Sequence, residues 1–210
     1  MKTAYLVRHA ESEGNVGIHF QGHHTSLTER GRAQAEHVAR RAANLDIKAL
    51  VSSPMVRAYD TAAEIAAHVG LPIESCEHFS ERRRPSSIIG TPMTDVAATK
   101  LNEAWFESLF TSDTRVEDGE NYDDIASRTQ RALRYLEQHP SDAVLVVSHG
   151  FFMCALLARV IHGSALTPQL LRATFSAFHV SNTGLSVLSY DGEWGVRMWN
   201  DHAHLGELRS

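Results

Sequence analysis

The chain has 210 residues, 43% apolar and 21% charged, with a formal net charge of −5. This composition excludes a largely disordered, collagen-like or low-complexity chain, and the acidic balance offers no global basic field for nucleic acid or an anionic membrane. At about 150 residues per domain, the length accommodates one large α/β domain spanning 1–210.

Thr3–Val7 reads as a short strand that stops at Arg8 and His9. Thr28 is a candidate N-cap, followed by Ala35, Val38, Ala39 and Ala42 on one helical face. Residues 47–51 form a second strand candidate. Ser53 and Pro54 read as an N-cap and an N1 proline, opening a helix that runs to Val69 and stops at Gly70. Residues 71–75 predict a third strand. Residues 77–95 read as irregular, with Ile88, Ile89 and Met93 available as anchors, and 96–110 as helical. A helix after Gly119 carries Ile125, Thr129, Leu133 and Leu136. Ala143–Val147 is the most apolar strand run, followed by His149, Gly150 and a helix to Ile161. Residues 177–181, 185–190 and 195–199 read as strands, with turns at 182–184 and 191–192. This alternation predicts a mostly parallel central sheet with helices on both faces.

Other features set the chemical setting. Seventeen Arg and three Lys make up the basic residues, and Arg is the side chain suited to bidentate phosphate or carboxylate contacts. Cys76 and Cys154 fall in no CxxC spacing, which predicts neither a disulfide framework nor a cysteine-held zinc. The apolar run before Arg8 is too short for a signal segment, and 151–161 is too short to span a bilayer. A cytoplasmic protein is expected, with no nucleic-acid or membrane partner; a homodimer stays open.

In open α/β sheets, ligands bind outside the carboxyl ends of strands. Two histidines sit there, His9 after Arg8 and His149 before Gly150, and Gly150 opens a helix whose free N–H groups suit an anion. The blocks around them run Leu6-Val7-Arg8-His9-Ala10-Glu11-Ser12-Glu13-Gly14-Asn15, then Leu27-Thr28-Glu29-Arg30-Gly31-Arg32-Ala33-Gln34-Ala35. Ser52-Ser53-Pro54-Met55-Val56-Arg57-Ala58-Tyr59-Asp60-Thr61-Ala62 and Val146-Val147-Ser148-His149-Gly150 follow. In content and order, over nearly the whole chain, they resemble the histidine phosphatase superfamily, the phosphoglycerate mutase-like proteins.

The resemblance implies a three-layer α/β/α fold and a catalytic role for His9, the nucleophile that takes the phosphoryl group. It places Arg8, Arg57, a protonated His149 and Gly150 around the phosphate, with Asn15, Gln21 and Gly22 at the rim. Glu81 matches the proton donor, with Glu11, Glu13, Glu77 and Glu120 as competing carboxylates. A neutral nucleophilic imidazole needs one nitrogen free, and a backbone carbonyl on the other would fix its tautomer. Guanidiniums stabilise the equatorial oxygens without a metal or other cofactor. Ala10 departs from the glycine that follows the family nucleophile; the change is one methyl group.

The expected activity is metal-independent hydrolysis of a phosphorylated small metabolite. The rivals are a mutase-type phosphotransferase, a metallophosphoesterase and a catalytically inactive binding module of the same fold. Specificity is expected in the segment around 77–115, with one or two of Arg82, Arg83 and Arg84 facing a second anionic group. His19, His23 and His24 read as loop residues, and Asp201, His202 and His204 as part of a C-terminal tail rather than a metal site.

Overall fold

The computed structural model describes residues 1–208. In chain order the elements are β1 (Lys2–Arg8), α1 (Glu13–Val16), α2 (Glu29–Ala42), β2 (Ala49–Ser52), α3 (Val56–Val69), β3 (Ile73–Ser75) and α4 (Val96–Ser108). They continue as α5 (Tyr122–Gln138), β4 (Ala143–Ser148), α6 (Gly150–His162), α7 (Pro168–Ala177), β5 (Leu185–Tyr190) and β6 (Trp194–Asp201). The six strands form one mixed sheet in the order β3-β2-β4-β1-β5-β6. β1 to β4 are mutually parallel, and β5 and β6 join antiparallel at one side.

Alternation along the central strands builds the layers. On one face Ala4, Leu6, Val144 and Val146 pack under Ala132 and Leu136 of α5 and Phe152, Met153 and Leu156 of α6. On the other, Val7, Leu145 and Val147 meet Val38, Ala39 and Ala42 of α2 and Ala58, Ala62 and Ile65 of α3. Each fully buried Leu or Val in these rows contributes about 1.5–3 kcal/mol. The result is the expected mostly parallel three-layer arrangement.

Local signals explain most boundaries. The Thr28 hydroxyl accepts from Gly31 N and starts α2, and Gly70 ends α3 in the left-handed region at φ 72°. Three expectations need correction. The helix after β2 starts at Val56, not Pro54, with Met55 rather than Ser53 as its N-cap residue, because Ser53 is still tied to the sheet through its N–H to the Val147 carbonyl. Residues 177–181 are no strand: Thr167 caps α7 with Pro168 behind it, and the helix runs to Ala177. Of the proposed anchors only Ile88 is buried, while Ile89 and Met93 are each 42% exposed.

Candidate active site

The parallel register of β1 and β4 sets Arg8 opposite Ser148, and the His9 N–H bonds the Ser148 carbonyl at 2.9 Å. The two histidines that follow these strands therefore emerge side by side, with ring centroids 5.0 Å apart. β2 ends in the next row, and the loop from it to α3 brings Ser53 and Arg57 to the same edge.

Both imidazoles are buried. His9 Nδ1 lies 2.7 Å from the Ala10 carbonyl, which fixes the proton on Nδ1 and leaves the Nε2 lone pair free. Arg57 Nε donates to that Nε2 at 3.2 Å. Burial first, then Arg57, His149 and Arg8, push the His9 pKa well below its ordinary value, so the ring is neutral. The same causes, burial and then Arg57, act on His149. His149 is therefore a neutral imidazole where an imidazolium was expected. Its Nε2 lies 2.8 Å from the Ser53 hydroxyl, and its Nδ1 has no partner.

Arg8 Nη1 donates to the Val180 carbonyl at 2.5 Å, while its Nε is buried without a partner. It lies so close to α6 that a Cβ on Gly150 would come within 3.4 Å of that Nε. Arg57 also donates from Nη1 to the Gly22 carbonyl at 3.2 Å.

Glu81 sits at the start of α6. Its carboxylate accepts from Arg82 N at 3.0 Å, Phe152 N at 3.3 Å and Phe151 N at 3.4 Å. Some of the helix-terminal donors expected to face an anion are thus taken by Glu81. Burial pushes the Glu81 carboxyl up, but Arg82, the backbone bond and Arg57 outweigh it and hold it below its ordinary value. Of the competing carboxylates, Glu120 is committed elsewhere: it pairs with Arg128 at 2.8 Å and accepts from Arg83 N at 2.7 Å. Glu11 accepts from the Thr28 hydroxyl.

A cleft of about 500 Å³ opens over these groups. Arg8, His9, Asn15, Gln21, Arg57, Glu81, Arg82 and Gly150 line its polar part, and Phe151, Phe175 and Phe178 an aromatic wall. A narrow side pocket of about 70 Å³ shares Gln21, Arg57, Glu81 and Arg82 with it and adds Gly22, Arg83, Arg84 and Trp105. Asn15 is partly used internally, its Oδ1 accepting from Ser12 N at 2.9 Å. Arg83 is exposed, with Nε on the Asp118 carbonyl at 3.1 Å. Arg82 and Arg84 make the deeper contribution. Ala10 is buried against Leu27 and Ala35 and does not line the cleft, so the extra methyl packs into core.

Several contributors carry no chemical signature in the sequence. Thr61 Oγ1 accepts from Ala10 N and donates to the Arg57 carbonyl. Asn182 Nδ2 donates to the His9 carbonyl at 3.0 Å. Ser53, Thr61 and Asn182 fall within motif blocks or a turn, the only hint to their roles; Arg128 had none. The Asp201–His204 segment is a clamp rather than a free tail: Asp201 and His204 hold Arg41, and His204 Nε2 lies 3.2 Å from Thr183 Oγ1. Among the described residues, one group has metal-ligand types in reach of one another: Glu36, Glu64 and His68. None lines the cleft, and Glu36 already pairs with Arg40.

A family model described as histidine phosphatase superfamily (branch 1) matches residues 4–202. A probable phosphoglycerate mutase, GpmB, of Proteus mirabilis (strain HI4320) is 32% identical and covers 99% of this chain and 97% of its own. Among solved structures, Bacillus stearothermophilus YhfR matches with a TM-score of 0.83 at 25% identity, covering 98% of this chain and all of its own. A mycobacterial glucosyl-3-phosphoglycerate phosphatase complexed with VO3 matches at 0.74 and 25% identity, covering 95% and 99%.

Proposed function

The chain belongs to the histidine phosphatase superfamily, and from that premise we propose that it hydrolyses phosphate monoesters of a small metabolite, without metal, through a phosphohistidine at His9. The observation that carries this reading is the state of His9: neutral, its tautomer held by the Ala10 carbonyl, its Nε2 lone pair facing Arg57 at the floor of the cleft.

In the first step the phosphate displaces the Arg57 Nε contact and accepts from Arg57, Arg8 and His149 instead. A Ser53 hydroxyl donating to His149 Nε2 leaves Nδ1–H as the donor for phosphate. His9 Nε2 attacks phosphorus, the ester P–O bond breaks, and a proton passes to the leaving alkoxide from the Glu81 carboxyl. In the second, Glu81 as carboxylate takes a proton from water, the oxygen attacks phosphorus and the N–P bond breaks.

Glu81 starts ionised. A monoanionic phosphate ester supplies the missing proton. Phosphate binding also offsets the field of Arg57 that holds Glu81 low.

A second reading, phosphoryl transfer to another substrate oxygen, is favoured by the name of the Proteus mirabilis relative. One experiment addresses both. Phosphorylated metabolites are incubated with and without chelator, and phosphate release, isomer formation and alkaline-quenched phosphoprotein are followed. The expected outcome is free phosphate, insensitivity to chelator, and label on His9 that is lost in His9→Ala. Isomerised product without released phosphate favours the transferase, and turnover only with a divalent ion overturns the metal-free mechanism.

A further inference from the structure

We propose that Arg84, together with Arg82, forms a second oxyanion subsite beside the phosphoryl site, so that preferred substrates carry another anionic group on the alcohol being released. The inference rests on the hydrolase reading above and names its substrate class.

The sequence puts three arginines in a row after Glu81, and the fold separates them. Arg83 reaches the surface and bonds the Asp118 carbonyl. Arg82 and Arg84 turn inward onto Trp105, their guanidinium carbons 5.4 and 5.0 Å from its ring centroid. Arg82 also lies 4.3 Å from the Phe151 centroid. Stacking covers a guanidinium face, but the N–H donors lie in its plane, so the edges still require acceptors. Those acceptors are incomplete. Arg82 Nε is buried without a partner. Arg84 is held by Asn102 Oδ1 on Nε at 2.9 Å and more weakly by the Gln21 carbonyl on Nη1 at 3.4 Å. Its Nη2 bonds nothing among the described residues.

Charge points the same way. Glu81 is the carboxylate that acts on Arg8, Arg57, Arg82 and Arg84 alike. Burial, with Arg82 repelling it, lowers the Arg84 pKa to about 10, and Glu81 offsets this only in part. An arginine stays charged at neutral pH, so these cations must be answered by anions from outside. A monoanionic ester and the Glu81 carboxylate supply two negative charges, which leaves the four guanidiniums two positive charges in excess. The side pocket of about 70 Å³ gives the second group room, since a single water needs only about 10–15 Å³ on the same measure. It shares Arg57, Glu81 and Arg82 with the main cleft, so the second anion sits a few bonds from the ester oxygen.

The test uses a two-carbon series: ethyl phosphate, phosphoglycolate, ethanediol bisphosphate and phosphoethanolamine. Wild-type kcat/KM is expected to favour one or both anionic-tailed esters over ethyl phosphate by about tenfold or more, with phosphoethanolamine the poorest. Preference for phosphoglycolate alone identifies a carboxylate, and preference for the bisphosphate alone a second phosphate. In Arg84→Gln the preference ratio should fall towards one through KM, and Arg84→Lys should restore part of it. Asn102→Ala, which frees the guanidinium without removing it, should give an intermediate ratio and stands in if Arg84→Gln does not fold. Turnover of all four esters at similar efficiency overturns the subsite while leaving the hydrolase reading intact. A preference that survives Arg84→Gln does the same. Turnover of none of them, nor of an aryl phosphate, removes the hydrolase reading itself.

Discussion

Two groups in the cleft are fixed in one protonation state by their surroundings. His9 is neutral because burial and three cationic or polar neighbours penalise its protonated form. Glu81 is ionised despite burial because Arg82, a backbone N–H and Arg57 surround it. The leaving group decides how much Glu81 matters. Glu81→Gln should slow alkyl phosphates by about 10²–10⁴-fold, the usual range of acid–base contributions. An aryl phosphate, which leaves readily as its anion, should lose much less in phosphoenzyme formation; equal losses would place the acid on another carboxylate. The pH profile follows from the same proton. With Glu81 ionised in the free enzyme, the reactive pair is enzyme plus monoanionic ester, so kcat/KM for alkyl esters should fall above about pH 6, where phosphate monoesters lose that proton. A profile flat to pH 8 would contradict the shared-proton scheme.

The loop that carries Glu81 has no regular structure of its own beyond the turn at Glu77–Phe79, yet it is held on one side by α5. Arg128 on α5 donates to the carbonyls of His78, Ser80 and Glu81, and pairs through two bonds with Glu120. Glu120 in turn accepts from Arg83 N, and its carbonyl accepts from Trp105 Nε1. One buried ion pair thus fixes the acid, the arginines behind it and α4. Removing one partner strands the other: Arg128→Met should cost about 3–5 kcal/mol in urea unfolding and lower kcat. Replacing both, Glu120→Leu with Arg128→Met, should recover much of the stability, because an apolar pair tolerates burial. It should not recover kcat, because the carbonyls of 78–81 stay unheld. Full recovery of both would show that the pair serves only packing. Gly119 belongs to the same junction, since a Cβ there would come within 2.5 Å of the Trp105 ring.

For the molecule as a whole, the buried histidines set the acid side of stability. Burial pushes His9 and His149 well below the ordinary range, and pushes His204 down to about 4. In the unfolded chain these rings take up protons near pH 6.5. Below that pH the unfolded state binds protons that the folded state refuses, so stability falls as pH falls. Each such group contributes up to about 1.4 kcal/mol per pH unit. Asp201, lowered to about 2 mainly by Arg41, acts with the same sign in a lower window: its stabilisation is present above its unfolded value near 3.8 and lost as pH falls towards 2, so it adds no slope between pH 5 and 7. Calorimetry in phosphate-free buffer should show Tm rising from pH 5 to 7; a flat or falling Tm would mean the rings are protonated in the fold. No described helix is long and apolar enough to cross a membrane.

The sequence alone determined the layered sheet and three groups at its edge, Arg8, His9 and His149. Strand alternation and strand-terminal placement are local properties, so Arg8, His9 and His149 were legible without coordinates. Arg57 and Glu81 were legible only through resemblance, because Arg57 lies on a helix and a carboxylate in an irregular segment has no periodicity to place it. Tertiary structure decided which of Arg82, Arg83 and Arg84 turn inward, since direction in such a segment depends on Trp105 and Asn102 from α4 and on Asp118. It also decided that His149 is neutral, reversing the sequence expectation. Charge state follows from burial and neighbouring charge summed over several elements, and that sum exists only once β1, β2, β4, α3 and α6 have met.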